Sequence, residues 1–405
     1  MFLRKLSKAP IYISLMLVAL PVILIIRLIR PFLLIRWDVL TSARIGHFAI
    51  NTEMYLCMRD AKINIPNQPY IDIFWMPESL SNRQLVVMWK RILHIWPAWI
   101  MSAMTRVNRI FPGGAIHEVG TNIRSYSRDI YNLLDASLPH IDFTSKEIDL
   151  GESQLLNMSI KKPFVCLIVR DDAYLTNQSA DNWGYHAYRD CDVQNYLLAA
   201  EELADRGYTV VRMGALVKQS FNSSHPKIID YATNGMRSDF LDIYLGANCE
   251  FTISTGTGWD SVPNIFRRPI VYTNLLPFGY LVTFCKNDLI ITRTHVNRKN
   301  GEQLNLTIKQ IYEHGVAYCL SSHEYSNKHI ELIENSPEEI RDVVIEMIER
   351  LDGTWLSVKD DEALQTRFWK LFDKNSIDVQ GKPLHGEIHA RYGANYLREN
   401  KWWLE

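Results

Sequence analysis

From Pro163 to Asn274 the chain alternates short apolar runs with amphipathic stretches of helical period, and few folds accommodate that alternation. PFVCLIV (Pro163 to Val169) reads as a buried strand, and DVQNYLLAAEELADRG as an amphipathic helix closed by Gly207. YTVVRMG is the next strand, SDFLDIYLGANC a helix, EFTIST a strand, GTGWDSVPNIFRR a loop and helix start, and RPIVYTN a further strand. Strands separated by helices of this length need crossover connections, which implies βαβ units and a parallel sheet. The fold class is α/β.

The same pattern recurs more weakly upstream. FLLIRWDVL (residues 32 to 40) predicts a strand, a tight turn at Gly46 leads into a helix, and YIDIFWM predicts a second strand. Residues 83 to 111 predict a helix, a break at Pro97, and another helix. The polar stretch from about Asp142 to Lys162 carries no strong run and reads as a linker between domains. PEEIRDVVIEMIERL, from Pro337 to Leu351, is a helix with acidic residues in its first turn, and the remaining tail is rich in Trp and Tyr. The division is a terminal segment (1–31), a first Rossmann-like domain (32–155), a second (156–350), and a helical tail (351–405) expected to pack back on the first domain.

The N-terminus departs from soluble patterning. Ala9 to Ile26 is an uncharged run of 18 residues, preceded by Arg4, Lys5 and Lys8 and followed by Arg27 and Arg30. About 20 apolar residues cross a bilayer, and Pro21 would kink such a helix. A cleaved signal peptide fits poorly, because the basic, apolar RLIRPFLLIR follows where a small-residue cleavage site would be needed. A spanning helix and a helix lying in the interface both remain, the latter with Arg27, Arg30 and Arg36 reaching anionic headgroups. Either attaches the chain to the inner-membrane surface, with its bulk on the cytoplasmic face. A net charge of −1 provides no global field for nucleic acid. Six cysteines without CxxC spacing argue against a zinc or disulfide framework and suit a reducing compartment.

Open α/β sheets bind ligands beyond the carboxyl ends of their strands. Ser254 ends one strand directly into Thr255-Gly256-Thr257-Gly258, whose glycines would let backbone N–H groups approach a phosphate at a helix start. The same loop also reads as an ordinary βα turn. Arg170, before Asp171 and Asp172, and Arg212, before Gly214, close two more strands. A strand-end guanidinium can fork onto a diphosphate or pair with a neighbouring carboxylate. Taken together these features predict a phosphate-bearing ligand. Tyr188 and Arg189, with His186, precede the next helix and could touch that ligand. Asp190-Cys191-Asp192 has the spacing of a metal–diphosphate motif, but helix capping explains it and no metal ligand is assigned. Near the N-terminus, His47 follows the Gly turn, where an imidazole could take a proton from a sugar hydroxyl or make a structural hydrogen bond. Glu53, further along the same helix, is a weaker candidate that could simply face solvent.

RIGHFA, VRDDAYL, YHAYRD, VVRMG and ISTGTG, in that order between about Arg36 and Leu281, resemble a bacterial family of glycosyltransferases encoded with surface-polysaccharide genes. The resemblance implies the GT-B fold, two Rossmann-like domains facing across a cleft, with the nucleotide sugar held mainly by the C-terminal one. The Val-Arg-Asp motif is also similar to the strand-end arginine motif of GDP-fucose-using transferases. By that similarity Arg170 would clamp the diphosphate, and Thr255 to Gly258 would hold phosphate or sugar. The chain departs from that pattern in carrying Ile168-Val169 where those enzymes often place a histidine before the arginine. The implied activity is metal-independent transfer from a nucleotide-sugar donor to a lipid-linked or polysaccharide acceptor, with no cofactor and His47 as the base. Two rivals remain, a sugar-nucleotide epimerase on the same fold and a non-catalytic, membrane-associated polysaccharide-assembly protein.

Overall fold

The computed structural model describes residues 9–77, 79–120, 127–171, 173, 187–299 and 302–405, the side chains of 9–13, 299 and 302 excepted. The chain divides into two units, Met1–Ser127 with Pro139–Asp142, and Arg128–Leu138 with Phe143–Glu405.

In the first unit, α1 (Ala9–Ile29) precedes β1 (Leu34–Val39), α2 (Ile45–Asp60), β2 (Tyr70–Trp75), α3 (Arg83–Trp89), β3 (His94–Ile95) and α4 (Ala98–Ile110). The strands form a parallel sheet in the order β1-β2-β3. Among the described residues this is a smaller sheet than a full Rossmann-like domain would carry. At its centre Arg36 forks onto Asp72 at 2.8 and 2.6 Å, and Tyr55 donates to the same carboxylate at 2.6 Å. A buried ion pair is tolerated when its lone pairs are satisfied in this way. The helix expected to run up to Pro97 stops at Trp89, and the chain crosses into β3 before α4 begins.

Ala19, Ile23 and Ile26 lie on one stripe of α1, spaced as successive turns require, and cluster with Met101, Met104 and Val107 of α4. Arg27 folds back to Asn108 Oδ1 at 3.3 Å and to the Pro112 carbonyl. The opposite side stays apolar and exposed, through Leu17, Val18, Leu24, Ile25 and Leu28. Among the described residues no helix is long and apolar enough to cross a membrane.

In the second unit, α5 (Ser145–Asn157) lies in the stretch the sequence suggests is a linker. Its signal is a capping box, Thr144 with Glu147, in which the Thr144 N–H donates to Glu147 Oε2 at 2.8 Å. Gly151 weakens the helical pattern, yet the packing requires it, because a Cβ there would stand 2.1 Å from the Tyr244 ring.

The order continues β4 (Phe164–Ile168), α6 (Leu197–Asp205), β5 (Thr209–Arg212), β6 (Ile228–Ile229), α7 (Asp239–Asn248), β7 (Thr252–Ser254), β8 (Ile270–Leu275) and β9 (Leu289–Thr292). A second sheet, antiparallel, comprises β10 (Thr294–Lys299), β11 (Glu302–Asn305) and β12 (Ile330–Ile333). Then come α8 (Pro337–Leu351), α9 (Asp361–Leu371) and β13 (Arg391–Tyr392). The main sheet is parallel, with order β13-β9-β8-β7-β4-β5-β6. From β4 the chain winds outward through β5 and β6, then returns to the other side of β4 at β7. That reversal is a topological switch point, and it opens a crevice between the carboxyl ends of β4 and β7.

The tail beyond residue 351 belongs to this second unit, where the sequence pointed to the first domain. Its β13 pairs with β9, and Phe368 and Trp403 meet Phe278 at centroid separations of 6.3 and 5.7 Å. An aromatic cluster of this kind buries a large apolar area, which holds the tail to the unit.

Candidate ligand site at the strand ends

Arg170 leaves the end of β4 and Thr255 the end of β7, and the two meet at the switch point. The Arg170 N–H donates to Thr255 Oγ1 at 2.9 Å. Arg189 donates to the Gly256 carbonyl, and the Cys191 N–H to the Arg170 carbonyl at 3.0 Å, so residues 189–191 line the same crevice. Asp190 Oδ1 stands 3.4 Å from Arg170 Nε. The Arg170 guanidinium is held below its usual pKa by burial and then by Arg189, a like charge beside it. An anion placed between two such groups would offset both effects.

The 255–258 loop is stiff, and its bracing comes from within. Gly256 sits at φ +77, and a Cβ there would come within 2.7 Å of Leu275 Cδ1, so both backbone and space demand glycine. Asp260, buried, accepts from Ser254 Oγ at 2.6 Å, Thr257 N at 2.6 Å and Thr257 Oγ1 at 2.8 Å. Ser254 Oγ in turn accepts from the Gly256 N–H at 3.0 Å. The amides of Gly256 and Thr257, which the sequence suggested would face a phosphate, are thus spent inside the loop. Burial pushes the Asp260 carboxyl up to about 6 despite its three donors. The helix after the loop is also short, a 3-10 turn (Gly258–Asp260) and 5 α residues from Ser261 to Ile265, so its dipole adds little. An anion placed here would meet the arginines rather than the loop amides.

A third arginine joins them. Arg293 follows β9 directly, 5% exposed, and its Nη2 donates to the Asp190 carbonyl at 2.5 Å and approaches Cys191 Sγ at 2.9 Å. Sequence reasoning missed it, although LIIT before Arg293 has the same apolar-run-then-arginine pattern as FVCLIV before Arg170. The end of β8 carries a satisfied polar network that was equally unread: the Asn274 and Asn335 backbone N–H groups each donate to the other's side chain at 2.7 Å.

The remaining expected residues lie elsewhere. Arg212 is 1% exposed and donates to Asp230 Oδ1 at 3.1 Å and to the Gln219 carbonyl at 3.2 Å, beneath the surface. Gly214 backs against Val217, whose Cγ1 would lie 2.5 Å from an added Cβ. Tyr188 turns inward and meets the Tyr325 ring at 5.3 Å. His186 and Asp172 are outside the described residues.

In the first unit His47 sits in the opening turn of α2, with Nδ1 at 3.3 Å from Asn51 Oδ1. Burial lowers its pKa, so the imidazole is neutral near pH 7. Glu53 does not face solvent: it is fully buried, and its Oε1 lies 3.0 Å from His140 Nδ1.

No family model matches the chain, and no curated protein matches it. Among solved structures it is similar to a glycosyl transferase family 9 protein of Veillonella parvula DSM 2008, at 12% identity over 64% of this chain and 85% of that one, TM-score 0.38. It is similar to the E. coli ADP-heptose lipopolysaccharide heptosyltransferase II, at 13% identity over 78% and 98%, TM-score 0.42. It is also similar to an E. coli heptosyltransferase solved with ADP-2-deoxy-2-fluoro heptose, at 11% identity over 64% and 93%, TM-score 0.28. Likenesses this remote add no weight to the geometry above.

Proposed function

We propose that the chain is a nucleotide-sugar glycosyltransferase that binds the donor diphosphate over the switch point between β4 and β7. The observation that carries this is the placing of Arg170 beside Arg189 at the β4–β7 reversal, with Arg293, from the end of β9, reaching the Asp190 carbonyl and pairing with Glu334 at 3.5 Å. Guanidinium groups fixed by the fold stabilise the charge that grows on a departing diphosphate without reorganising during the reaction. In this reading they fill the role a divalent cation plays in metal-dependent transferases. His47, neutral and partly buried, is the proposed base that takes the acceptor hydroxyl proton. A thermal-shift panel of UDP-, GDP-, CMP-, dTDP- and ADP-sugars tests the donor site, with stabilisation expected from one nucleotide class. His47→Ala should then lower kcat by about 100-fold or more with donor affinity kept. No shift with any nucleotide sugar would falsify the reading and leave a non-catalytic role.

The proposed acceptor is a lipid-linked glycan of surface-polysaccharide synthesis, met at the cytoplasmic face of the inner membrane. In support, α1 packs one stripe on α4 and leaves the rest apolar and exposed, which suits a helix lying in the headgroup region. The first 30 residues contain five basic side chains and no Asp or Glu, a charge pattern that matches anionic lipid, whereas Arg36, paired with Asp72, is buried and takes no part. Cosedimentation with phosphatidylglycerol vesicles should be strong at low salt. It should fall about tenfold or more in a Leu24→Glu/Ile25→Glu variant, as two charges must enter an apolar layer. Equal binding by variant and wild type would place the lipid contact elsewhere.

A further inference from the structure

Three side chains that no sequence spacing links meet in the first unit. Glu53 and Cys57 are four residues apart on α2, so both project from one face of the helix. His140 arrives from Pro139–Asp142, the stretch that rejoins this unit. Its Nδ1 stands 3.0 Å from Glu53 Oε1, Cys57 Sγ lies 3.9 Å from that same oxygen, and the three ligand atoms all lie within 4.8 Å of one another. Around tetrahedral zinc, with bonds of about 2.1 Å to N or O and about 2.3 Å to S, neighbouring ligand atoms are roughly 3.4 to 3.7 Å apart. The observed separations bracket that value.

A second feature points the same way. His140 Nε2, the nitrogen turned away from Glu53 and Cys57, lies 3.0 Å from Asp60 Oδ2. A carboxylate on the far nitrogen fixes the tautomer and the ring plane of a metal-bound imidazole. Asp60 is three residues beyond Cys57 on the same helix, so about two turns of α2 supply two ligands and the support for the third.

We propose that Glu53, Cys57 and His140 form a binding site for a zinc-class divalent cation, with Asp60 orienting His140. One sulfur, one nitrogen and one oxygen suit a borderline-soft ion, whereas magnesium and calcium take oxygen donors. The fourth tetrahedral position would go to water. The ion would pin residues 139–142 to α2, and the site is independent of the donor reading, since it shares no residue with it. Sequence spacing hides such a site: two ligands come from a helix face and the third from far along the chain.

The test uses the full chain, stripped with chelator and titrated with Zn2+ by calorimetry, then with Co2+ followed by absorbance. One equivalent should bind, the Co2+ adduct should show a thiolate-to-cobalt charge-transfer band, and Cys57→Ser should remove that band. His140→Gln should lose most of the affinity, and Asp60→Asn should weaken it about 10- to 100-fold, while Cys319→Ser leaves it unchanged. Asp60 is half-exposed, so its variant keeps the fold even where the buried substitutions do not. No stoichiometric binding, or binding indifferent to Cys57 and Asp60, overturns the proposal and leaves the cluster as an imidazolium shared between two carboxylates.

Discussion

Arg170→Ala should weaken nucleotide-sugar binding about 100- to 1,000-fold while leaving thermal stability nearly unchanged. A forked guanidinium on a diphosphate makes two charge-assisted hydrogen bonds, each contributing about 1.5 to 2 kcal/mol, and 1.4 kcal/mol is about a tenfold change in affinity. Little in the free protein depends on this side chain. Its bond to Thr255 comes from the backbone N–H and survives truncation, and its ion pair among the described residues, with Asp190, is long at 3.4 Å. Removing it also takes one like charge away from Arg189. Calorimetry with the nucleotide class that stabilises the wild type measures the loss directly. If the alanine variant binds as tightly as the wild type, the diphosphate does not rest on Arg170, and Arg189 with Arg293 must hold it alone.

The second unit was legible because its strands are buried on both faces and read as unbroken apolar runs, PFVCLIV and RPIVYTN among them. A strand order, however, is not written in periodicity. That β7 returns beside β4, and so makes a ligand crevice of Arg170 and Thr255, follows only from the pairing. The loop itself was located by its glycines, but its use of Asp260 as an internal brace was not, because a buried carboxylate with three donors looks in sequence like any helix-start aspartate. Thr144–Glu147 was readable as a capping box, and Gly151 obscured it by interrupting the apolar stripe at the residue that packs on Tyr244 of α7. Strand β13 was beyond reach for another reason: it has two residues, and only its partner β9 makes it a strand. Glu53 was misjudged because its buried partner, His140, is remote in sequence.

The sharpest separation concerns Arg212, which in sequence is the twin of Arg170: an apolar strand, then an arginine. Arg212→Met should lower the stability of the second unit by about 3 kcal/mol, the low end for breaking one partner out of a buried ion pair, and should leave donor affinity in the folded protein within about threefold of wild type, roughly 0.6 kcal/mol. The reason lies in what each guanidinium faces. Arg212 is 1% exposed and spans Asp230 and the Gln219 carbonyl, tying the end of β5 to the segment that follows it. Asp230 keeps two other donors, the Phe221 N–H at 2.9 Å and the Thr233 hydroxyl at 2.7 Å, so it is weakened but not stranded, and this sets the loss near 3 rather than 5 kcal/mol. Methionine conserves most of the buried volume, so the loss reports the ion pair and the carbonyl contact more than a cavity. Urea denaturation gives the stability and calorimetry at low temperature the affinity. The opposite pattern, unchanged stability with binding lost tenfold or more, would put Arg212 at the ligand and require the chain after β5 to open when the donor binds. The same two measurements on Arg170→Ala should give the mirror image, and the pair then distinguishes a guanidinium that holds the fold from one that waits for an anion.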